Sequence, residues 1–132
     1  MRKVSKASVW KLCSEYNRRK DADSDGIVEC CCGCGRKDHW KLFDAGHFIP
    51  RARGKAVYWL PENIHAQAPA CNRFDVERAK IGYTLFMIDR YGRQKIDELQ
   101  AQAREVYRER QADLEYWADF YRQAIKKLGR DD

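Results

Sequence analysis

The stretch DAGHFIPRARGKAVYWLPENIHAQAPACN, residues 44–72, decides the fold. Residues 41–49 (KLFDAGHFI) read as a strand of mixed alternation with His47 near its end. A basic loop follows over residues 50–55 (PRARGK), then a second short strand over 56–60 (AVYWL). Pro61, Glu62 and Asn63 turn the chain out of that strand, and a loop from residue 67 becomes helix by about residue 80. The expected unit is strand, strand, helix. His47 ends the first strand, Asn63 follows the second, and Asn72 lies nine residues later where the helix starts.

Working outward, residues 5–20 read as a short amphipathic helix. Val9, Leu12, Cys13 and Tyr16 share one face, and Ser5 or Ser8 can cap it. Residues 21–26 (DADSDG) form a polar turn, and 26–35 a tight hairpin holding most of the cysteines. Downstream, Ile81, Leu85 and Ile88 repeat at helical spacing until Gly92 ends or bends the segment. Residues 93–128 contain no Gly or Pro. Ile96, Leu99, Ala103 and Val106 set one apolar phase; Leu114, Trp117, Tyr121, Ile125 and Leu128 set another beyond Arg110 and Asp113. That pattern predicts one long helix, or two with a bend near Arg110. The broken seam favours a packing helix over a dimerising coiled coil.

Composition narrows the partners. The 132 residues carry 26 Lys and Arg against 20 Asp and Glu, a formal net charge of +6, which favours a polyanion. The charge is uneven: residues 1–20 hold seven bases and one acid, residues 21–35 four acids and no base, and residues 36–55 six bases and two acids. The positive charge therefore lies in the N-terminal arm and in the segment around His47. No apolar run is long enough to span a membrane, and no apolar stretch follows the basic start, so the expected location is the cytoplasm. Cys30, Cys31, Cys32 and Cys34 crowd into five residues, too close for comfortable disulfides among themselves. In a reducing compartment they read first as a metal site.

In their order and spacing CCGCGR (31–36), DAGHF (44–48), the arginines of PRARG, ENIHAQ (62–67), ACN (70–72) and IGYTLFMIDRYG (81–92) resemble the HNH endonucleases. More narrowly, the chain resembles the NinG, or Rap, recombination nucleases of lambda-like phages, from about residue 30 to about residue 99. The resemblance implies an α+β fold with a small ββα-metal centre, a zinc knuckle, an N-terminal helix and long C-terminal helices. It divides the chain into a nuclease domain at 1–92 and a helical extension at 93–132, packed on it or mediating a homodimer. His47 matches the general base. Asn63 matches the residue that braces the active-site loop and helps orient that base. Asn72 matches a ligand of the catalytic metal, Mg²⁺ or Mn²⁺. The other usual ligand position is here Gly46, a departure. Asp44, two residues earlier on the same strand face, is the expected substitute.

The same resemblance implies a structural zinc. Cys31 and Cys34 form one knuckle and Cys71 ends the other, but Ala68 stands where a fourth cysteine should be. Cys30, Cys32, His39 or His65 is left to complete the four ligands, with Cys32 or Cys30 the smallest rearrangement. The competing reading has the cysteines as small apolar packing groups; Cys13 is read as core. His65 is expected in a supporting or surface role. Arg51, Arg53, Lys55, Arg73 and Lys80 are the expected phosphate contacts. Arg2, Lys3, Lys6, Lys11, Arg18, Arg19 and Lys20 could clamp duplex further out. The implied activity is metal-dependent hydrolysis of branched DNA, D-loops or Holliday junctions, in phage recombination inside a bacterial host. Two other classes remain: a non-catalytic zinc-bearing DNA-binding module, and a restriction or packaging HNH nuclease acting on linear duplex.

Overall fold

A computed structural model describes residues 3–130; Arg2 of the basic arm lies outside them. The fold is α+β, with five helices and two small antiparallel sheets. Helix α1 (Lys6–Arg19) starts where the Ser5 hydroxyl accepts the Ser8 N–H at 3.1 Å. It buries Val9, Cys13 and Asn17, one position per turn, and ends on Arg18 and Arg19, which suit the negative end of the helix dipole. The Asp23 carboxylate then accepts the N–H groups of Asp25 and Ile27, folding residues 21–26 into a turn. Gly26 sits at φ +80°, and a Cβ there would meet His39 Nε2 at 2.5 Å. Strand β1 (Ile27–Glu29) pairs with β2 (Lys37–His39), and the cysteine run makes their connection.

The second sheet differs from the sequence reading. Residues 41–49 shorten to β3 (Asp44–His47), because residues 40–42 wind into a single 3-10 turn. Its partner is β4 (Ile64–Gln67), in the register Asp44 to Gln67, Gly46 to His65 and His47 to Ile64. Residues 56–60 are not a strand. Lys55–Val57 is a 3-10 turn, and the apolar side chains of AVYWL go to separate places. Val57 enters the core with Phe48 and Ile49, Tyr58 stacks on His47, and Trp59 packs with Val9 and Tyr121. The loop finds an amide rather than a strand to bond. Asn63, fully buried, accepts the Ile49 N–H at 2.8 Å and donates to the carbonyls of Ile49 and Val57 at 3.0 and 3.2 Å. Asn63 therefore precedes the second strand instead of following it.

Pro69 opens α2 (Pro69–Arg73), which carries Cys71 and Asn72, and α3 (Val76–Tyr91) follows after a two-residue break. The buried face of α3 is Ala79, Tyr83 and Met87. Ile81, Leu85 and Ile88, the stripe expected to pack, are exposed. Two faces of α3 share one period, and Gly82 selects between them. A Cβ at Gly82 would lie 1.8 Å from the Cys32 carbonyl oxygen, so the cysteine loop seats directly against this glycine. The long C-terminal helix is two, α4 (Arg93–Ala103) and α5 (Gln111–Arg130). The link between them leaves Val106, expected on the apolar seam, 102% exposed. Ile96, Leu99 and Ala103 of α4 share a core with Cys31, Phe48 and Met87. Ala118 and Tyr121 of α5 share another with Val9, Cys13 and Ile64. Among the described residues no helix is long and apolar enough to cross a membrane.

Candidate active site and metal centre

His47, at the end of β3, packs against Trp10 and Tyr58, with ring centroids 5.5 and 4.6 Å away and planes 17° and 21° from parallel, and those two rings also meet each other at 5.8 Å. Its Nε2 lies 2.9 Å from the Tyr58 carbonyl oxygen. A carbonyl only accepts, so Nε2 carries the proton and Nδ1 keeps the lone pair of the neutral ring. Burial holds the imidazole below its ordinary pKa, partly opposed by the Tyr58 hydrogen bond. Asn63 ties down Val57, next to the residue that supplies this carbonyl. The imidazole is thus oriented by Trp10 from α1 and by the ring and carbonyl of Tyr58 from the 48–63 loop.

Asp44, at the start of β3, and Asn72, on α2, meet across 28 residues of chain, Nδ2 to Oδ2 at 3.0 Å. Arg73 also grips the Asp44 carboxylate with two hydrogen bonds, at 3.0 and 2.8 Å. His47, Gln67, Asn72, Lys80 and Tyr83 line one cleft of about 200 Å³. Larger hollows, about 460 Å³ beside Tyr16 and Phe120 and 630 Å³ beside Asp23, Asp25 and His39, are lined by neither His47 nor Asn72. A carboxylate and an amide offer the hard oxygens that Mg²⁺ or Mn²⁺ prefers, and the Arg73 guanidinium occupies the carboxylate in this structure. The residues fit such an ion.

Gly46 has a structural reason to be glycine. A Cβ there would lie 2.0 Å from Gln67 Oε1, so the Gln67 side chain fills the space over position 46. Gly46 is also held from behind. The Tyr83 hydroxyl donates to its carbonyl at 2.7 Å. His65 Nδ1 lies 3.0 Å from that same hydroxyl, and Nε2 lies 2.7 Å from the Tyr91 hydroxyl. Tyr83 has spent its proton on Gly46, so His65 Nδ1 must donate and Nε2 must accept from Tyr91. Burial, with Lys20 and Arg90 nearby, pushes the His65 pKa down to about 2, which keeps the ring neutral in this chain of bonds. His65 is a buried brace for β3. Sequence spacing alone could not have distinguished that from a surface residue.

The thiols of Cys30, Cys32, Cys34 and Cys71 lie within 4.8 Å of one another. Four convergent cysteines fit one tetrahedral Zn²⁺. Of the expected set Cys31, Cys32, Cys34 and Cys71, three stand in this cluster; Cys31 does not, and Cys30 takes its place. The run turns sharply after β1, with the Gly33 N–H bonded to the Cys30 carbonyl at 3.3 Å and Gly33 at φ +73°, and this turn gathers thiols 30, 32 and 34 on one side. Cys31 goes to the other side and packs with Phe48, Tyr83 and Met87. The turn is a tertiary outcome that the two-residue spacing of the cysteines did not disclose. The Ala68 N–H and the Arg78 guanidinium donate to the sulfurs of Cys30 and Cys71 at 3.2 and 3.1 Å, bonds suited to thiolates. Zinc there would join the β1–β2 connection to α2 one residue from Asn72.

The family model described as Bacteriophage Lambda NinG protein matches residues 2–131. The chain belongs to the NinG family. No curated protein and no solved structure matches it.

The expected phosphate contacts fall into three groups. Arg51 and Lys55 line a pocket of about 430 Å³ together with Lys6, Tyr58, Tyr107, Arg108 and Glu109, whereas Arg53 is exposed on the same loop. Lys80 lines the His47 cleft, and Arg73 is engaged by Asp44. Sequence reading missed Arg108, which the bend between α4 and α5 brings to the loop. Of the outer clamp, Lys6 pairs with Glu109 at 3.2 Å. Lys20 is withdrawn from any such role. Its ammonium bonds Asn17 Oδ1 and the carbonyls of Pro61 and Ile64 at 2.9, 2.7 and 2.8 Å, and burial lowers its pKa to about 8.

Proposed function

We propose that this chain is a metal-dependent DNA endonuclease of the HNH, or ββα-metal, type. The observation that carries the reading is the shared cleft. His47, a neutral base with an oriented lone pair, opens onto the same 200 Å³ space as Asn72, which touches Asp44. In the proposed reaction His47 Nδ1 takes a proton from water as the water oxygen bonds to phosphorus. The bond from phosphorus to the 3′ oxygen breaks, and that oxygen leaves as the 3′ hydroxyl after taking a proton from solvent. Asp44 and Asn72 would hold Mg²⁺ or Mn²⁺, which when bound stabilises charge on the leaving oxygen. Lys80 from the cleft wall, and Arg51, Arg53 and Lys55 from the loop, would hold the phosphates. Arg73 would turn from Asp44 to the DNA when the cation enters.

Membership in the NinG family supports branched recombination intermediates as the substrate. Matched linear, D-loop and four-way-junction DNAs, with Mg²⁺ or Mn²⁺, test the whole reading against His47→Ala. Cleavage of branched DNA by wild type and binding without cleavage by His47→Ala support it. Equal cleavage of linear duplex would favour a restriction or packaging role. A second reading has one observation behind it: Arg73 already satisfies Asp44. If wild type binds DNA and cuts nothing with either metal, the chain is a zinc-bearing DNA-binding module.

A further inference from the structure

Of the polar side chains lining the cleft, Tyr83 is bonded to Gly46 and Cys71 belongs to the thiol cluster, and Gln67 is left with no use in the proposed reaction. The residue is 5% exposed. Among the described residues no protein group hydrogen-bonds its side-chain amide, and no fully buried side-chain nitrogen or oxygen lacks a partner, so the Gln67 amide must reach the opening of the cleft it lines. A residue that only packed here, such as Met or Leu, would carry no amide to keep solvated at that opening.

Its surroundings say what it is placed to meet. Gln67 is the cross-strand partner of Asp44, so both side chains leave the same face of the sheet, their Cβ atoms about 4.5–5.5 Å apart. Asp44 touches Asn72. The Gln67 oxygen lies where a side chain on residue 46 would begin. Gln67 from β4 and Asn72 from α2 line one cleft, and Asp44 from β3 adjoins both, as the cross-strand partner of the first and the hydrogen-bond partner of the second. Position 46 is closed to any side chain because Gln67 fills it.

We infer that Gln67 Oε1 is a third protein ligand of the divalent cation held by Asp44 and Asn72, supplying from β4 the oxygen that Gly46 cannot supply from β3. This rests on the metal-dependent reading above. An amide oxygen is a hard neutral donor, suited to Mg²⁺ or Mn²⁺ and unsuited to the thiolate site nearby. It adds a ligand without a second negative charge beside the phosphate.

The test is Mn²⁺ binding by the full chain without DNA, followed by loss of the electron-spin-resonance signal of free aqueous Mn²⁺. Wild type, Asp44→Ala, Gln67→Met and Gln67→Glu are compared, with thermal melting of each. Met fills the space over Gly46 but offers no oxygen; Glu keeps the shape and adds charge. Gln67→Met should weaken Mn²⁺ binding by about tenfold or more, as Asp44→Ala should, with little change in melting. Gln67→Glu should tighten it by about tenfold. If Gln67→Met binds like wild type while Asp44→Ala does not, Gln67 only packs and the inference fails alone. If Gln67→Met does not fold, Gln67→Glu decides, and binding no tighter than wild type overturns the inference. If wild type has no Mn²⁺ site that Asp44→Ala removes, the metal-dependent reading fails and takes the inference with it.

Discussion

Replacing Asn63 by Ala should destabilise the protein by about 3 kcal/mol or more. The side chain makes three hydrogen bonds, to the N–H and C=O of Ile49 and to the C=O of Val57, and is 0% exposed. Each such bond contributes roughly 1 kcal/mol net, and each backbone group left buried without a partner costs up to about 3. Water entering the small cavity would offset part of the loss. A 3 kcal/mol loss in a chain this size lowers the melting temperature by roughly 10 °C. Asn63→Asp gives an independent sign. Its carboxylate keeps the bond from the Ile49 N–H but faces two carbonyl oxygens, so its pKa in the folded protein rises above the ordinary value of about 3.9. A group whose folded pKa is raised contributes stability below its unfolded pKa and loses it as pH climbs through the folded one. Asn63→Asp should therefore lie closer to wild type at pH 4 than at pH 7. Urea unfolding of the three proteins at both pH values reads this directly. An Asn63→Ala loss under about 1 kcal/mol would refute the claim that one amide holds the 48–63 loop.

Four further outcomes are expected. Cys30→Ser should lose bound zinc by mass-spectrometric metal analysis and Cys31→Ser should retain it; the reverse would return Cys31 to the ligand set. The logarithm of the cleavage rate should rise with pH and level off below the ordinary imidazole pKa of about 6.5, because burial depresses that of His47; a midpoint above it would exclude this ring as the base. His65 has a folded pKa of about 2, so its contribution to stability is present above its unfolded value and lost as pH falls from about 6.5 towards 2. Wild type should lose up to about 1.4 kcal/mol per pH unit more than His65→Gln across that window, and parallel curves would refute the assignment. Finally, the double change Lys6→Ala with Arg108→Ala should flatten the dependence of DNA affinity on salt by about one or two phosphate contacts without moving the midpoint for Mg²⁺; an unchanged slope would remove that pocket from the interface.

What the sequence disclosed, and what it hid, follow the range of the forces involved. Helix α1 was legible because its cap, apolar face and basic last turn are all local. So was the bend near Arg110, where the apolar phase slips. Asp44 and Asn72 were readable as a pair because the period of a strand and a familiar spacing point the same way. The failures are tertiary. AVYWL has strand composition, but Asn63 offers the loop what a strand would have offered, and its aromatics are drawn to His47 and α5. The periodicity of α3 suits two faces equally, and only the approach of the Cys32 carbonyl to Gly82 chooses between them. Gln67 and Arg108 carry no local mark; their meaning comes from what lies opposite.

The two metal sites proposed for this chain also explain each other. Helix α2 spans only Pro69–Arg73, too short to hold its own direction in water. Yet it must present Asn72 to Asp44 within a few tenths of an ångström. Pro69 fixes one end, and the Cys30, Cys32, Cys34 and Cys71 cluster fixes the middle through the residue next to Asn72. The cysteine loop is in turn seated on α3 at Gly82 and on β4 through the Cys31 N–H to the Ala66 carbonyl at 3.0 Å. On the proposed reading soft sulfur would anchor the element, and the hard oxygens of Asn72, one residue away, and of Asp44, released from Arg73, would turn to a divalent cation. On this arrangement, stripping zinc should loosen the Asp44–Asn72 pair before it unfolds the helical parts. Chelation should cost Mn²⁺ affinity while most of the helical circular dichroism remains. Simultaneous loss of both signals would mean that zinc supports the whole fold, and that the short helix has no separate need of it.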